Sequence, residues 1–228
     1  MATLTVYPDP DPESTSVDGE VFRRDVSEAW ATIRTSTGTG AGPSDTSNAI
    51  LWMDKFNSSW RHFHRAVYLF DTSSLDDTAT ISAATLSIFA AGTKDDTLGV
   101  VPAIRLVSHS PASNTNLVAG DYPFAQFGTT SFGEITWANW VGTAASENSV
   151  TLNASGLTNI SKTAVSKFVV LFSNDMDNSE PAGTTARTVI DAYFADQTGT
   201  TNDPKLVITY SLGGSTTTHR RMLMGVGQ

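Results

Sequence analysis

The sequence predicts an all-β fold: an antiparallel two-sheet jelly-roll-like sandwich of roughly nine or ten strands with one short helix. Three observations carry this expectation. First, residues 65–71 (RAVYLFD) and 79–91 (ATISAATLSIFAA) alternate with a period of two. Ala66, Tyr68 and Phe70 point one way, and Val67 and Leu69 the other. Ala84, Leu86, Ile88 and Ala90 likewise oppose Thr85, Ser87 and Phe89. That period belongs to a pleated strand with a buried face. Second, 32 threonines and 25 serines accompany a charged fraction of only 16%, a composition that keeps strand faces and turns soluble with few charges. Third, clusters of Gly, Pro, Asn and Asp cut the chain into short runs.

The elements follow in order. Residues 1–15 read as an extended N-terminal arm, stiffened by Pro8, Pro10 and Pro12, because proline removes donors and restricts its predecessors. Strands are expected at 16–24 and 28–34, then a loop at 35–48 containing Gly38, Gly40, Gly42 and Pro43. Further strands are expected at 49–53, 60–70, 80–91 and 100–108. Residues 110–133 form a long loop whose Tyr122, Phe124, Phe127 and Phe132 are expected to pack onto the sandwich. A short strand at 134–140 precedes the best helical segment, 155–165, with Ser155 as N-cap and Leu157, Ile160 and Ala164 on one face. Strands at 167–173, 185–194 and 205–211 close the body, and the unbroken apolar run 168–172 implies cover on both sides. The chain of 228 residues thus divides into one sandwich domain, 1–213, and a tail, 214–228.

The bulk numbers restrict function. A net charge of −9 disfavours binding to nucleic acid phosphates and to anionic membranes. The absence of cysteine removes disulfides, thiolate metal sites and a cysteine nucleophile. No run approaches the ~18 apolar residues of a membrane helix. The N-terminus has neither the basic nor the apolar region of a secretory signal, so synthesis in a cytoplasm without Sec export is expected. No Gly-x-Ser-x-Gly elbow, His-Glu-x-x-His or P-loop occurs, and no enzyme is expected.

Several constellations nonetheless invite a functional reading. His62 and His64 are two apart on a strand and would project from one face, as metal ligands or as a solvated polar stripe. Asp175, Asp177 and Glu180, and less favourably Asp9, Asp11 and Glu13, have the oxygen-rich spacing of a Ca²⁺ loop, though neither run has the full loop pattern; no cofactor is expected beyond such an ion. Glu134 and Glu147 are the acids considered for glycoside hydrolysis, which needs two carboxylates across a groove. Trp52, Trp137, Trp140 and Tyr122 could stack against sugar rings, or else close the ends of the core. Finally, after a polar linker, Arg220 and Arg221 precede an apolar strip of Met222, Leu223, Met224 and Val226. Such a strip gains by burial and reads as a peptide docking into a partner's groove or sheet edge.

Arg65, Leu69-Phe70-Asp71, Ser74-Leu75, the run Ile81 to Leu86, the Trp137–Trp140 segment and the closing 203–210 (DPKLVITY) together resemble the DNRLRE domains, which are related to alginate-type carbohydrate-binding modules. The resemblance spans about residues 6–210. The runs 69–74 (LFDTSS), 203–206 (DPKL) and 221–227 (RMLMGVG) are also similar to proteins of tailed bacteriophages that decorate virions. The resemblance implies a non-enzymatic virion structural protein, foremost a capsid decoration protein that docks through its termini onto the major capsid protein or another virion protein, as a homo-oligomer. Its alternatives are a module adhering to host surface glycans and a tail-associated structural protein. Many weak identical contacts on a lattice would sum through avidity.

Overall fold

The computed structural model describes residues 1–212; the tail residues Arg220, Arg221, Met222, Leu223, Met224 and Val226 lie outside them. Within that range the chain is an all-β, sandwich-like fold. Its twelve strands are β1 (Ala2–Val6), β2 (Asp18–Arg23), β3 (Gly40–Gly42), β4 (Ser47–Phe56), β5 (Ser59–Asp71), β6 (Thr80–Asp96), β7 (Ile104–Ser108), β8 (Gly133–Ile135), β9 (Glu147–Thr151), β10 (Val165–Phe172), β11 (Ala186–Tyr193) and β12 (Lys205–Ser211). Three short helices join them: α1 (Trp30–Thr35), α2 (Ala154–Asn159) and α3 (Ser173–Met176). Every strand pairing is antiparallel.

The layers are continuous rather than separate. The main path runs β1-β12-β6-β11-β4-β5-β10-β7-β8. Two long strands make this possible. The first part of β6 pairs with β12 and β9, and its last part, from Ala90 to Asp96, pairs with β11. On β5, residues Ser59–His64 pair with β4, Ala66–Asp71 pair with β10, and β2 runs along Phe63–Tyr68. The far end curls back: the Asn153 backbone N–H donates to Phe132 O at 2.7 Å and its side chain to Ser131 O at 2.8 Å. These bonds tie the segment after β9 to the segment before β8.

The alternation in 65–71 and 79–91 is realised in β5 and β6. Ala66, Val67, Tyr68, Leu69 and Phe70 are all fully buried, so β5 is covered on both faces, as β10 is through Phe168–Leu171. The aromatic loop does pack onto the sheet. Tyr122 and Phe127 lie 4.4 and 5.1 Å from the Arg65 guanidinium, and Phe132 meets Phe168 edge-on.

Several local expectations change, among them the loop at 35–48, which holds strand β3 and the start of β4. Residues 28–34 are not a strand: Trp30, Ile33 and Arg34 are the buried positions of helix α1, an i, i+3, i+4 spacing that fits one helical face. The helix expected at 155–165 is only α2, and its cap is the Asn153 side chain, which accepts from Gly156 N at 3.1 Å. The strand at 134–140 shortens to β8 followed by one helical turn at Trp137–Asn139. The N-terminal arm begins as a sheet strand, with β1 paired in register from Ala2↔Tyr210 to Val6↔Leu206.

Candidate functional site: a groove at Trp52

The sheet dips where β11 passes between β4 and β6. Opposite β11 the register slips between Ile190 and Asp191 on the β4 side, and between Ile190 and Ala192 on the β6 side. Bulges bend a strand and re-aim its side chains. Here two of them face each other across one strand, and Gly92, at φ +128°, supplies the backbone freedom on β6. The result is a groove of about 460 Å³, within the usual size of small-ligand sites. Ala49, Ala91 and Val189 give it apolar lining, while Trp52, Asn48, Thr93, Arg187 and Asp191 give it an indole and polar groups.

Trp52 is fixed by its neighbours. A cross-strand row runs Phe22↔His64↔Trp52↔Val189↔Asp95 through five strands. The indole stacks on His62 at 4.5 Å with planes 11° apart, and it meets His64 at 5.2 Å. Phe22 stacks on the His64 ring at 5.1 Å. Aromatic contacts of this kind contribute about 0.5–1.5 kcal/mol each beyond area burial. Burial, then the nearby Arg24 charge, pushes His64 down to about 3; burial and Arg61 also lower His62. The two imidazoles thus serve as neutral packing for one indole. They are neither the solvated stripe nor an assembled metal pair, and among the described residues no group of three His, Cys, Asp or Glu is placed to hold a metal.

The rim is equally organised. The Asn48 amide donates to Glu20 Oε1 at 2.6 Å and to Asp45 Oδ2 at 3.0 Å, and its oxygen accepts from Ala49 N at 2.8 Å. Burial first, and Asp45 second, lifts Glu20 to about 9. Arg187 donates from Nε to Asp95 Oδ2 at 2.8 Å. Asp191 lines the same groove and forms no ion pair among the described residues.

The other aromatic candidates divide. Trp140 and Tyr122 are buried, at 1% and 0% exposure, and belong to the core; the Tyr122 hydroxyl donates to the Ile33 carbonyl. Trp137 is half-buried, tilted on Phe172 with the Lys94 ammonium 5.1 Å from its ring. Only Trp52, of these four, lines the large groove.

The acidic candidates are dispersed. Asp175 is buried between two arginines: Arg34 Nε at 2.8 Å from Oδ1 and Arg65 Nε at 2.7 Å from Oδ2. Burial opposes the Arg65 charge, but Asp175 together with the nearby Tyr122 outweighs it, and the Arg65 pKa is raised. Asp177 instead takes Arg105 at 2.6 Å, and Glu180 takes Lys55 at 3.0 Å and Trp60 Nε1 at 2.9 Å. The structure does not bring these three carboxylates together. Asp9 accepts from the backbone of Ser14, Thr15 and Ser16, a turn-forming use of its oxygens. Glu134 and Glu147 do share one small cleft of about 180 Å³. Yet Glu134 pairs with Arg105 at 3.0 Å and Glu147 with Lys205 at 3.2 Å. Hydrogen bonds from Ser87, then Lys205, lower the Glu147 pKa, whereas a general acid needs one raised.

Sequence reasoning named Trp52 but not Arg187, Val189, Asp191, Thr93 or Asn48. A partial signal existed: in 185–194 the charged Arg187 and Asp191 fall on one strand face with Val189, opposite Thr188, Ile190 and Ala192. The bulges that hollow this face leave no comparable trace. The chain matches no protein-family model and no curated protein, so what it does must be argued from its own residues.

Proposed function

We propose that the chain is a non-catalytic adhesion module that binds glycans in the Trp52 groove. One observation carries this: a rigidly packed indole lining a bulged, shallow groove beside polar side chains. The C–H face of a pyranose packs on an indole, and a few convergent polar groups then set its orientation. The ion-paired state of Glu134 and Glu147 supports a binding rather than a hydrolytic role. The test is a glycan array on the full chain and on Trp52→Ala, with circular dichroism to check folding. A defined set of glycans bound by the parent and weakened about tenfold or more by the substitution is the expected result. An array that stays blank, or binding indifferent to Trp52, would refute it.

A second reading places the module on a bacteriophage particle as a capsid decoration protein or a tail-associated structural protein. The sequence of the tail, with Arg220 and Arg221 ahead of Met222, Leu223, Met224 and Val226, favours it. Cosedimentation with stripped particles, comparing the full chain with one ending at Gly214, tests this reading. It expects tail-dependent pelleting with the major capsid protein, and pelleting by neither version speaks against it. Glycan binding would survive that truncation.

A further inference from the structure

We infer that the groove prefers amine-bearing sugars over uronates; this rests on the glycan-binding reading above. Its two charged lining side chains are Arg187 and Asp191, on one face of β11. They are not equivalent. Arg187 is already drawn toward Asp95, at 2.8 Å, and its cross-strand partner on the other side is Asp54. Its backbone is also fixed: the N–H donates to Thr97 Oγ1 at 3.0 Å, and the carbonyl accepts from Thr97 N and Leu98 N. Asp191, by contrast, pairs across the sheet with Ala49 and with no cation among the described residues.

Of the groove's two charged lining groups, only Asp191 therefore stands without an ionic partner among the described residues. Arg187 is held by Asp95, Asp54 on the neighbouring strand pairs with Arg61 at 3.1 Å, and Asp45 is bonded to Asn48 at the rim. A protonated amino group seated on the Trp52 side finds an uncommitted carboxylate. A uronate carboxylate meets Asp191 without relief and must compete with Asp95 for Arg187. Like charges at such range repel, and opposite charges favour the ionised pair. The half-exposed setting keeps the preference modest and sensitive to salt.

The experiment is calorimetric titration of the full chain with three tetrasaccharides: a glucosamine oligomer, its N-acetylated counterpart and an alginate oligomer, near pH 5.5 in low salt. The glucosamine oligomer should bind about five- to tenfold more tightly than the N-acetylated one, and the alginate oligomer most weakly. Asp191→Asn should erase the gap between the first two while leaving N-acetylated binding in place, and about 0.5 M NaCl should narrow it. Trp52→Ala should weaken all three. Tightest binding of the alginate oligomer, lost in Trp52→Ala, would overturn the charge preference and leave the glycan-binding reading standing. An unchanged gap in Asp191→Asn would do the same. If the glucosamine oligomer fails to bind, the preference falls, and the glycan array then decides the broader reading separately.

Discussion

Asp175 shows how much a single side chain can hide from a sequence. Its place in an acidic run suggests oxygen ligands for an ion, yet the cations that claim it are Arg34 and Arg65, 141 and 110 residues away. Local spacing cannot report partners that arrive through the fold. Both guanidiniums are buried, and each carries further bonds: Arg34 to Asn178 Oδ1 and Arg65 to Tyr122 O. Removing the shared anion leaves two buried charges uncompensated. Asp175→Asn should cost about 3–5 kcal/mol in urea denaturation, whereas Asp177→Asn, at a half-exposed pair, should cost about 1 kcal/mol or less. Similar costs for the two would contradict this assignment. Glu20 offers a second test. Its folded pKa of about 9 lies above the ordinary 4.5, so the folded chain keeps a proton that the unfolded chain releases. The stability from this group is therefore complete below about pH 4.5 and is lost as pH rises toward 9. Glu20→Gln replaces the protonated carboxyl by a neutral amide, which still offers a donor and an oxygen to accept from Asn48. It should raise the melting temperature by a few degrees near pH 8 and leave it unchanged near pH 4. A gain that is the same at both values would count against the buried proton.

At the scale of elements, legibility follows periodicity. Strands β5, β6, β10, β11 and β12 were readable because each alternates or runs apolar for several residues. Helix α1 was misread because six residues hold too few turns to display a helical period, and its Trp30 and Ile33 suit a strand equally well. The short strands β3 and β8 are set by their partners, not by their own composition. The bulges matter most and were least visible, since they arise from pairing register. Gly92 is the one hint: its φ of +128° is a region that side chains rarely adopt, although the nearest atom to an added Cβ would be Ala144 Cβ at 4.0 Å. Backbone conformation, not crowding, is what the glycine supplies. Gly92→Ala should therefore cost about 1–3 kcal/mol and also weaken glycan binding, because the bulge shapes the groove. Normal stability and affinity in that variant would show that the bulge does not need glycine.

For the molecule as a whole, the sheet supplies the frame, and the groove proposed as the binding surface is a local departure from it. Two long strands, each shared between successive partners, let one sheet curl into layers that enclose a continuous core. The acidic balance of −9 sets a general bias against polyanions, and Asp191 extends that bias into the proposed binding groove. The fold class was legible from sequence, whereas Trp52 was one of four aromatic candidates that sequence alone did not rank. The polar residues that line the groove with Trp52 come from β11, β6 and the start of β4, and only the structure displays the register that brings these strands together. The most direct test of the groove's role is a titration of ¹⁵N-tryptophan-labelled protein with the glycans selected on the array, followed through the indole N–H resonances. Trp52 is predicted to shift saturably while the buried Trp60 and Trp140 stay in place. A saturable shift centred on Trp137 instead, or no movement of Trp52 with any of those glycans, would contradict the assignment of the groove as the binding site.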